Sequence, residues 1–257
     1  MRIAVITGAS SGLGKEFTLQ IDRNETDIEE IWLIARRRER LEELAAQLVH
    51  PARVFALDLM EEASIAHLES VLKTADVQVG ILAVCAGFGK VGNYETVGRQ
   101  QSDRMIALNC RAAVDTTMIA LPYMQAGDRI IEICSTSAFQ PFPYLNIYAA
   151  SKAFLYSYTR ALRNELLPRG IKVTAVCPYW IKDTEFIPGA DSSDGANGIH
   201  SFPLADRTVP VVKRALRASR AGLPVSTPGA VCTLHRIFAK VLPRNILMLI
   251  WEGIRRI

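Results

Sequence analysis

Short apolar runs alternate with helix-patterned segments along most of this chain, and that alternation restricts the fold more than any other feature. The runs are residues 2–6, 28–35, 53–59, 79–87, 130–135 and 171–178, with a last short one at 224–229. Between them lie Lys15–Ile21, Glu39–Val49, the segments 61–75 and 105–124, Tyr148–Leu167 and 211–222, the last capped by Gly222. Strands this continuously apolar are covered on both faces, and strands that alternate with helices pair in parallel. The expected fold is α/β, a doubly wound parallel sheet in three layers. No linker, composition shift or repeat divides it, so one domain over residues 1–257 is expected.

The first run leads directly into Thr7-Gly8-Ala9-Ser10-Ser11-Gly12-Leu13-Gly14 and then into a helical segment. A strand, a glycine-rich turn and a helix start form a phosphate site. Glycines admit a close backbone approach, and the helix N-terminus offers free N–H groups and a favourable dipole. The spacing Gly8-x-x-x-Gly12-x-Gly14 differs from the common G-x-G-x-x-G fingerprint.

Farther on, Tyr148 and Lys152 stand four residues apart in a helical segment, on one face and about one turn from each other. A tyrosine hydroxyl has a reference pKa of about 10. A nearby lysine cation favours its phenolate and is expected to draw that value toward the working range. Ser135 would reach a substrate oxygen from the opposite side if the intervening chain, with prolines at 141 and 143, folds back as a loop.

Composition excludes several classes. The net charge is +4, and no basic run interleaved with aromatics suggests a nucleic-acid partner. The cysteines at 85, 110, 134, 177 and 232 have neither C-x-x-C spacing nor a pairing rhythm, which fits a reducing compartment and small buried hydrophobes. His50, His67, His200 and His235 show no metal-ligand spacing, and no metal is expected. No apolar run approaches membrane-spanning length, and the opening segment is short for a secretory signal. A soluble cytoplasmic protein is expected.

Residues 179–210 break the regularity with the small, polar GADSSDGANG between apolar residues such as Phe186, Ile187, Ile199 and Phe202. This stretch reads as a lid or binding loop. Residues 235–257 mix Ile, Phe, Leu, Met and Trp with Arg and Lys, interrupted at Pro243. They read as a C-terminal amphipathic tail that packs on the body or on a subunit partner, with a membrane surface as the alternative.

TGASSGLG at the start, Asp58-Leu59, Cys85-Ala86-Gly87, Asn109, Ser135, and Tyr148 with Lys152 occur in this order on the matching elements. Taken together, the sequence resembles the short-chain dehydrogenase/reductase family, in its small single-domain Rossmann branch, from residue 3 to about 184. The resemblance implies Tyr148 as catalytic acid/base, Ser135 as partner of the substrate oxygen, and Lys152 lowering the tyrosine pKa while holding the nicotinamide ribose. It implies Asn109 as anchor of a proton-relaying water. Gly8, Ser10, Ser11, Gly12, Leu13 and Gly14 would cradle the phosphates, Asp58 and Leu59 would meet the adenine, and Ala86 and Gly87 the ribose. Pro178, Ile181 and Thr184 would flank the nicotinamide. The chain departs from the family's N-N-A-G, which reads Val84-Cys85-Ala86-Gly87, and from its P-G, which reads Pro178-Tyr179 and displaces the following threonine by one position.

Two further expectations rest on this resemblance. The second strand ends at Ala35, with no acid to bind a ribose 2′-hydroxyl, and Arg36 follows as the expected reader of a 2′-phosphate, with Arg37 behind it and Ser10 able to add a hydroxyl, so the cofactor is expected to be NADP(H). Phe139, Phe142, Pro143 and Tyr144 beside Ser135, with Tyr179 and Trp180, suggest a bulky hydrophobic ketone or secondary alcohol, steroid-, bile-acid- or lipid-like. The basic Lys213, Arg214, Arg217 and Arg220 keep a 3-oxoacyl thioester as the alternative. A homodimer or homotetramer is expected. Two rivals from other classes are a non-catalytic nucleotide sensor on the same fold and an α/β-hydrolase with Ser10 in Gly8-x-Ser10-x-Gly12 as nucleophile. The hydrolase lacks an earlier strand to supply its oxyanion loop.

Overall fold

The first apolar run forms β1 (Arg2–Thr7), whose side chains divide between two cores. Ile3 and Val5 point into one, Ala4 and Ile6 into the other, as the two-residue period of a strand requires. The structure, a computed structural model, describes residues 1–190 and 204–255. Six further strands follow: β2 (Glu30–Ala35), β3 (Ala52–Ala56), β4 (Gln78–Val84), β5 (Arg129–Ile133), β6 (Lys172–Val176) and β7 (Val225–Ser226). They form a single parallel sheet in the order β3-β2-β1-β4-β5-β6-β7.

Helices cover both faces, as the apolar strands demand. On one side α1 (Gly12–Asn24), α2 (Arg38–Ala45) and α8 (Thr208–Arg220) bury Phe17, Ile21, Leu41, Val212 and Leu216 against the sheet. On the other, α3 (Glu62–Thr74), α5 (Ala113–Ala120) and α6 (Asn146–Leu166) contribute Leu68, Leu72, Ala113, Leu155 and Leu162. The expected three-layer, Rossmann-like α/β arrangement is therefore observed.

Strand order reverses between β1 and β4, which opens a crevice at their carboxyl ends, where ligands of such sheets bind. Thr7 fixes this point: its Oγ1 accepts from the backbone N–H groups of Cys85 and Ala86, each at 3.0 Å. Strands β3 and β4 stop short of their expected ends, leaving Asp58 and Cys85–Gly87 as loop residues facing the crevice.

The helix expected over 105–124 is interrupted. After α4 (Tyr94–Ile106) the backbone widens into a π-helical turn, Ala107–Ala112, before α5 begins. Such bulges are frequent at functional sites, and this one carries Asn109. Residues 191–203, including Ile199 and Phe202, lie outside the described residues, and of the expected lid only its flanks are described, among them the short α7 (Phe186–Ala190). The tail forms two helices, α9 (Ala230–Val241) and α10 (Arg244–Arg255), with Pro243 at the corner.

Candidate active site

One cavity of about 920 Å³ runs across the carboxyl ends of the strands. It brings together Gly8, Ser10, Ser11, Gly12, Leu13, Gly14, Arg36, Arg37, Asp58, Leu59, Ala86, Gly87, Ser135, Tyr148, Lys152, Pro178, Ile181 and Thr184. Asn109, expected among the catalytic residues, stands behind the wall rather than in it. It is fully buried, its Oδ1 accepting from Phe88 N at 3.0 Å and its Nδ2 donating to Phe88 O at 2.8 Å and Ser151 Oγ at 3.0 Å.

The glycine-rich end is a cradle with no room for a side chain at Gly8 or Gly14. A Cβ on Gly14 would lie 2.2 Å from Gly8 O, and one on Gly8, whose φ is +66°, 2.9 Å from Ala86 N. At Gly87 it would come within 3.0 Å of Asn109 Oδ1 and 3.3 Å of Lys152 Nζ. Backbone bared in this way at a helix start suits a dinucleotide's phosphates and ribose, and the residues present fit such a group. Thr184 closes over the turn, its Cγ2 3.4 Å from where a Gly12 Cβ would stand, while its Oγ1 donates to Ile181 O at 3.0 Å.

The two arginines after β2 diverge. Arg36 is exposed, with Nη1 3.8 Å from Asp58 Oδ2. Arg37 turns toward the glycine-rich loop and donates to Ser10 Oγ (3.3 Å from Nε, 3.1 Å from Nη2) and Ser11 Oγ (2.9 Å). Its Nη1 donates to Glu185 at 2.8 Å, and the same carboxylate accepts from Arg40. These two arginines hold the Glu185 carboxyl below the usual range. The hydroxyl of Ser10 therefore faces a guanidinium, and none of its described contacts is a histidine, as a hydrolytic nucleophile would need.

At the other end, Ser135 caps the short 3₁₀ turn Thr136–Phe139, its Oγ accepting from Ser137 N at 3.1 Å. The loop after it folds back, as its prolines suggested, and places Ser135 beside Tyr148 on α6. Lys152, one turn along, is buried and donates from Nζ to Ile133 O at 2.7 Å, with Nζ 5.9 Å from the Tyr148 ring centroid. Burial pushes the Tyr148 phenol well above its ordinary range, and the Ser135 hydroxyl draws it only part of the way back. The expected downward pull from Lys152 does not prevail here. Burial depresses the Lys152 ammonium as well.

Between these ends the wall is largely apolar, with Phe142, Leu145, Trp180, Phe186, Leu247 and Trp251. Phe139, Pro143 and Tyr144, expected in this wall, are not among its lining residues: Phe139 meets Tyr156 and His235 edge to face, Pro143 accepts from Trp251 Nε1 through its carbonyl, and Tyr144 lies under the Arg255 guanidinium, 3.8 Å away. None of Lys213, Arg214, Arg217 and Arg220 lines the cavity.

Sequence reasoning missed three parts of the site. Gly89 packs against the Tyr148 ring. Gln140 and His235 form the wall's polar pair, Gln140 Oε1 2.8 Å from His235 Nε2, and burial keeps His235 below its usual pKa. The tail supplies a wall of its own through residues of α9 and α10 such as Leu234, Phe238, Leu247 and Ile254. Only the G-K-x-G after Gly87 offered a signal for Gly89; His235 carried none, being a lone histidine in an apolar helix.

Among known proteins, the family model described as short chain dehydrogenase matches residues 2–193. An uncharacterized oxidoreductase of Staphylococcus epidermidis is 30% identical over 192 residues, which is 74% of this chain and 82% of that protein. A very-long-chain 3-oxoacyl-CoA reductase of Neurospora crassa is 29% identical over 187 residues, 69% of this chain and 55% of its own length. A short-chain dehydrogenase from Sphingobium yanoikuyae, solved in complex with NADPH, superposes with a TM-score of 0.80 at 27% identity, covering 97% of this chain and 95% of that one. A bulky-bulky ketone specific alcohol dehydrogenase from Comamonas testosteroni gives a TM-score of 0.76 at 26% identity, covering 97% and 94%.

Proposed function

This chain belongs to the short-chain dehydrogenase family, as an oxidoreductase acting on CH–OH groups, and on that premise we propose that it interconverts a bulky hydrophobic ketone and its secondary alcohol with NADP(H). The observation that carries this reading is the meeting of Ser135, Tyr148 and Lys152 in one largely apolar cavity whose far end holds the glycine cradle and Arg37.

When bound, the nicotinamide cofactor supplies or accepts the hydride. Gly8 to Gly14 hold its phosphates, and Arg37, with the hydroxyls of Ser10 and Ser11, receives the 2′-phosphate that distinguishes NADPH. Asp58 and Leu59 meet the adenine, and Lys152 holds the ribose beside Gly87. In reduction, Tyr148, kept protonated by burial, gives its proton to the ketone oxygen while Ser135 Oγ orients that oxygen. The ammonium of Lys152 then stabilises the phenolate left behind. Asn109 ties Phe88 to Ser151 of α6 and so keeps the strand end and the catalytic helix in register.

The apolar wall and the likeness to a bulky-ketone dehydrogenase favour a large hydrophobic substrate. The likeness to 3-oxoacyl-CoA reductases keeps a long-chain 3-oxoacyl thioester as the second reading. NADPH oxidation followed by absorbance over steroids, lipid ketones, 3-oxoacyl thioesters and small polar ketones tests both. Fastest turnover of the bulky ketones supports the first reading, and of the small polar ketones contradicts it.

A further inference from the structure

The tail helices carry apolar stripes that face outward. On α9 the stripe is Leu234, Ile237, Phe238 and Val241, and on α10 it is Ile246, Leu249, Ile250 and Ile254. Each follows the i, i+3, i+4 spacing of one helix face, yet all eight side chains are exposed, Val241 to 74% and Leu249 to 73%. The opposite faces are the anchored ones. Cys232, Leu247 and Trp251 are buried, His235 pairs with Gln140, and Trp251 Nε1 donates to Pro143 O at 3.0 Å.

Two observations indicate what covers this surface. Leu234, Phe238, Ile250 and Ile254 are exposed and also line the cavity that contains Tyr148, so the apolar surface is continuous with the apolar interior. A rigid protein seated there would lie across the outlet, whereas a fluid lipid phase would extend it. Lys240 and Arg244 are exposed at the corner where the two stripes meet, and no ion pair among the described residues neutralises them, whereas Arg236 lies on the anchored face of α9, one turn from the buried Cys232. The one acid of α10, Glu252, is paired with Arg255. A cationic border around an amphipathic apolar face matches an anionic bilayer surface.

We propose that α9 and α10 form a monotopic lipid-binding face, by which the protein adsorbs to an anionic membrane and draws apolar substrate from it into the cavity. No helix among the described residues is long and apolar enough to cross a membrane, so the contact is interfacial. Delivery toward Tyr148 rests on the reductase reading above; adsorption does not, and the two fail separately.

Co-sedimentation of the full chain with vesicles of equal parts phosphatidylcholine and phosphatidylglycerol, and with phosphatidylcholine alone, provides the test. The wild type pellets with the anionic vesicles, less with the neutral ones, and less as salt screens the cations. Val241→Glu with Leu249→Glu, neither of which lines the cavity, lowers vesicle affinity by about tenfold or more, with the unfolding midpoint and oligomeric state unchanged. Lys240→Glu with Arg244→Glu, a pair of purely surface changes, reduces binding to the anionic vesicles selectively. Wild type remaining in the supernatant with both vesicles would overturn the proposal. So would a wild-type dimer that the Val241/Leu249 variant splits into monomers, which would assign the face to a second copy.

Discussion

Arg37 reaches back from the end of β2 to the hydroxyl of Ser10, with Nε at 3.3 Å and Nη2 at 3.1 Å. Arg36, one residue earlier, points away toward Asp58. The phosphate-reading role that the sequence suggested first for Arg36 therefore suits Arg37 better. A charge-assisted hydrogen bond contributes about 1.5 to 3 kcal/mol, so Arg37→Ala weakens NADPH by roughly ten- to a hundredfold and NADH little. Arg36→Ala has the smaller effect. Fluorescence titration of both cofactors against both variants checks the assignment, and equal losses for NADPH and NADH in Arg37→Ala would refute it.

Glu185 holds the same guanidinium at 2.8 Å and also accepts from Arg40. A 2′-phosphate arriving at Arg37 has to compete with this carboxylate. Glu185→Gln is expected to tighten NADPH by up to about tenfold, the scale of one charge-assisted contact, and to leave NADH unchanged. Weaker NADPH binding in this variant would mean that Glu185 supports the arginines rather than competing for them.

Gly89 leaves no room beside the Tyr148 ring: a Cβ there would stand 2.9 Å from Tyr148 Cδ2 and 2.9 Å from Phe186 Cζ. Overpacking of this kind costs about 1 to 3 kcal/mol. Gly89→Ala should therefore lower kcat by about tenfold or more while the KM for NADPH stays near its wild-type value. Steady-state kinetics separate the two, and an unchanged kcat would show that the ring has slack.

Glu132 on β5 is fully buried, with Oε1 accepting from Thr117 Oγ1 at 2.7 Å and Oε2 unpartnered among the described residues. Burial pushes its carboxyl up to about 8 from an ordinary 4.5. The folded state thus binds this proton more tightly than the unfolded chain does. The resulting stabilisation is complete below about pH 4.5 and declines as pH rises toward about 8. At about 1.4 kcal/mol per unit, it amounts to a few kcal/mol. Urea midpoints measured across this window should fall for the wild type, and Glu132→Gln should flatten the slope. An unaltered slope in that variant would assign the pH dependence to other groups.

Much of this molecule is legible in its sequence. The continuous apolar runs require a sheet covered on both faces, and Gly8, Gly12 and Gly14 mark its first turn because a strand running straight into closely spaced glycines and a helix start leaves backbone open to a phosphate. Tyr148 and Lys152 were found by helical spacing, which is a local property. What escaped is long-range. Whether Arg36 or Arg37 faces Ser10 depends on how the chain leaves β2, and neither residue type nor spacing records that direction. His235 meets Gln140 across 95 positions, and the tail's contribution to the cavity wall depends on where the Pro243 corner directs α10. The π turn at Asn109 was hidden because its residues have ordinary helix-forming character. Tyr148 itself feels a local and a long-range effect: a lysine one turn away favours the phenolate, while burial by distant elements favours the neutral phenol, and burial prevails.

The account depends on Tyr148 as the proton donor, and its most direct test is Tyr148→Phe assayed with NADPH and the best bulky ketone. General acid catalysis contributes roughly 10² to 10⁴-fold, so turnover should fall by that factor while NADPH affinity, measured by titration on the same preparation, stays within about twofold of wild type. A variant that keeps more than about a tenth of wild-type turnover would contradict the account.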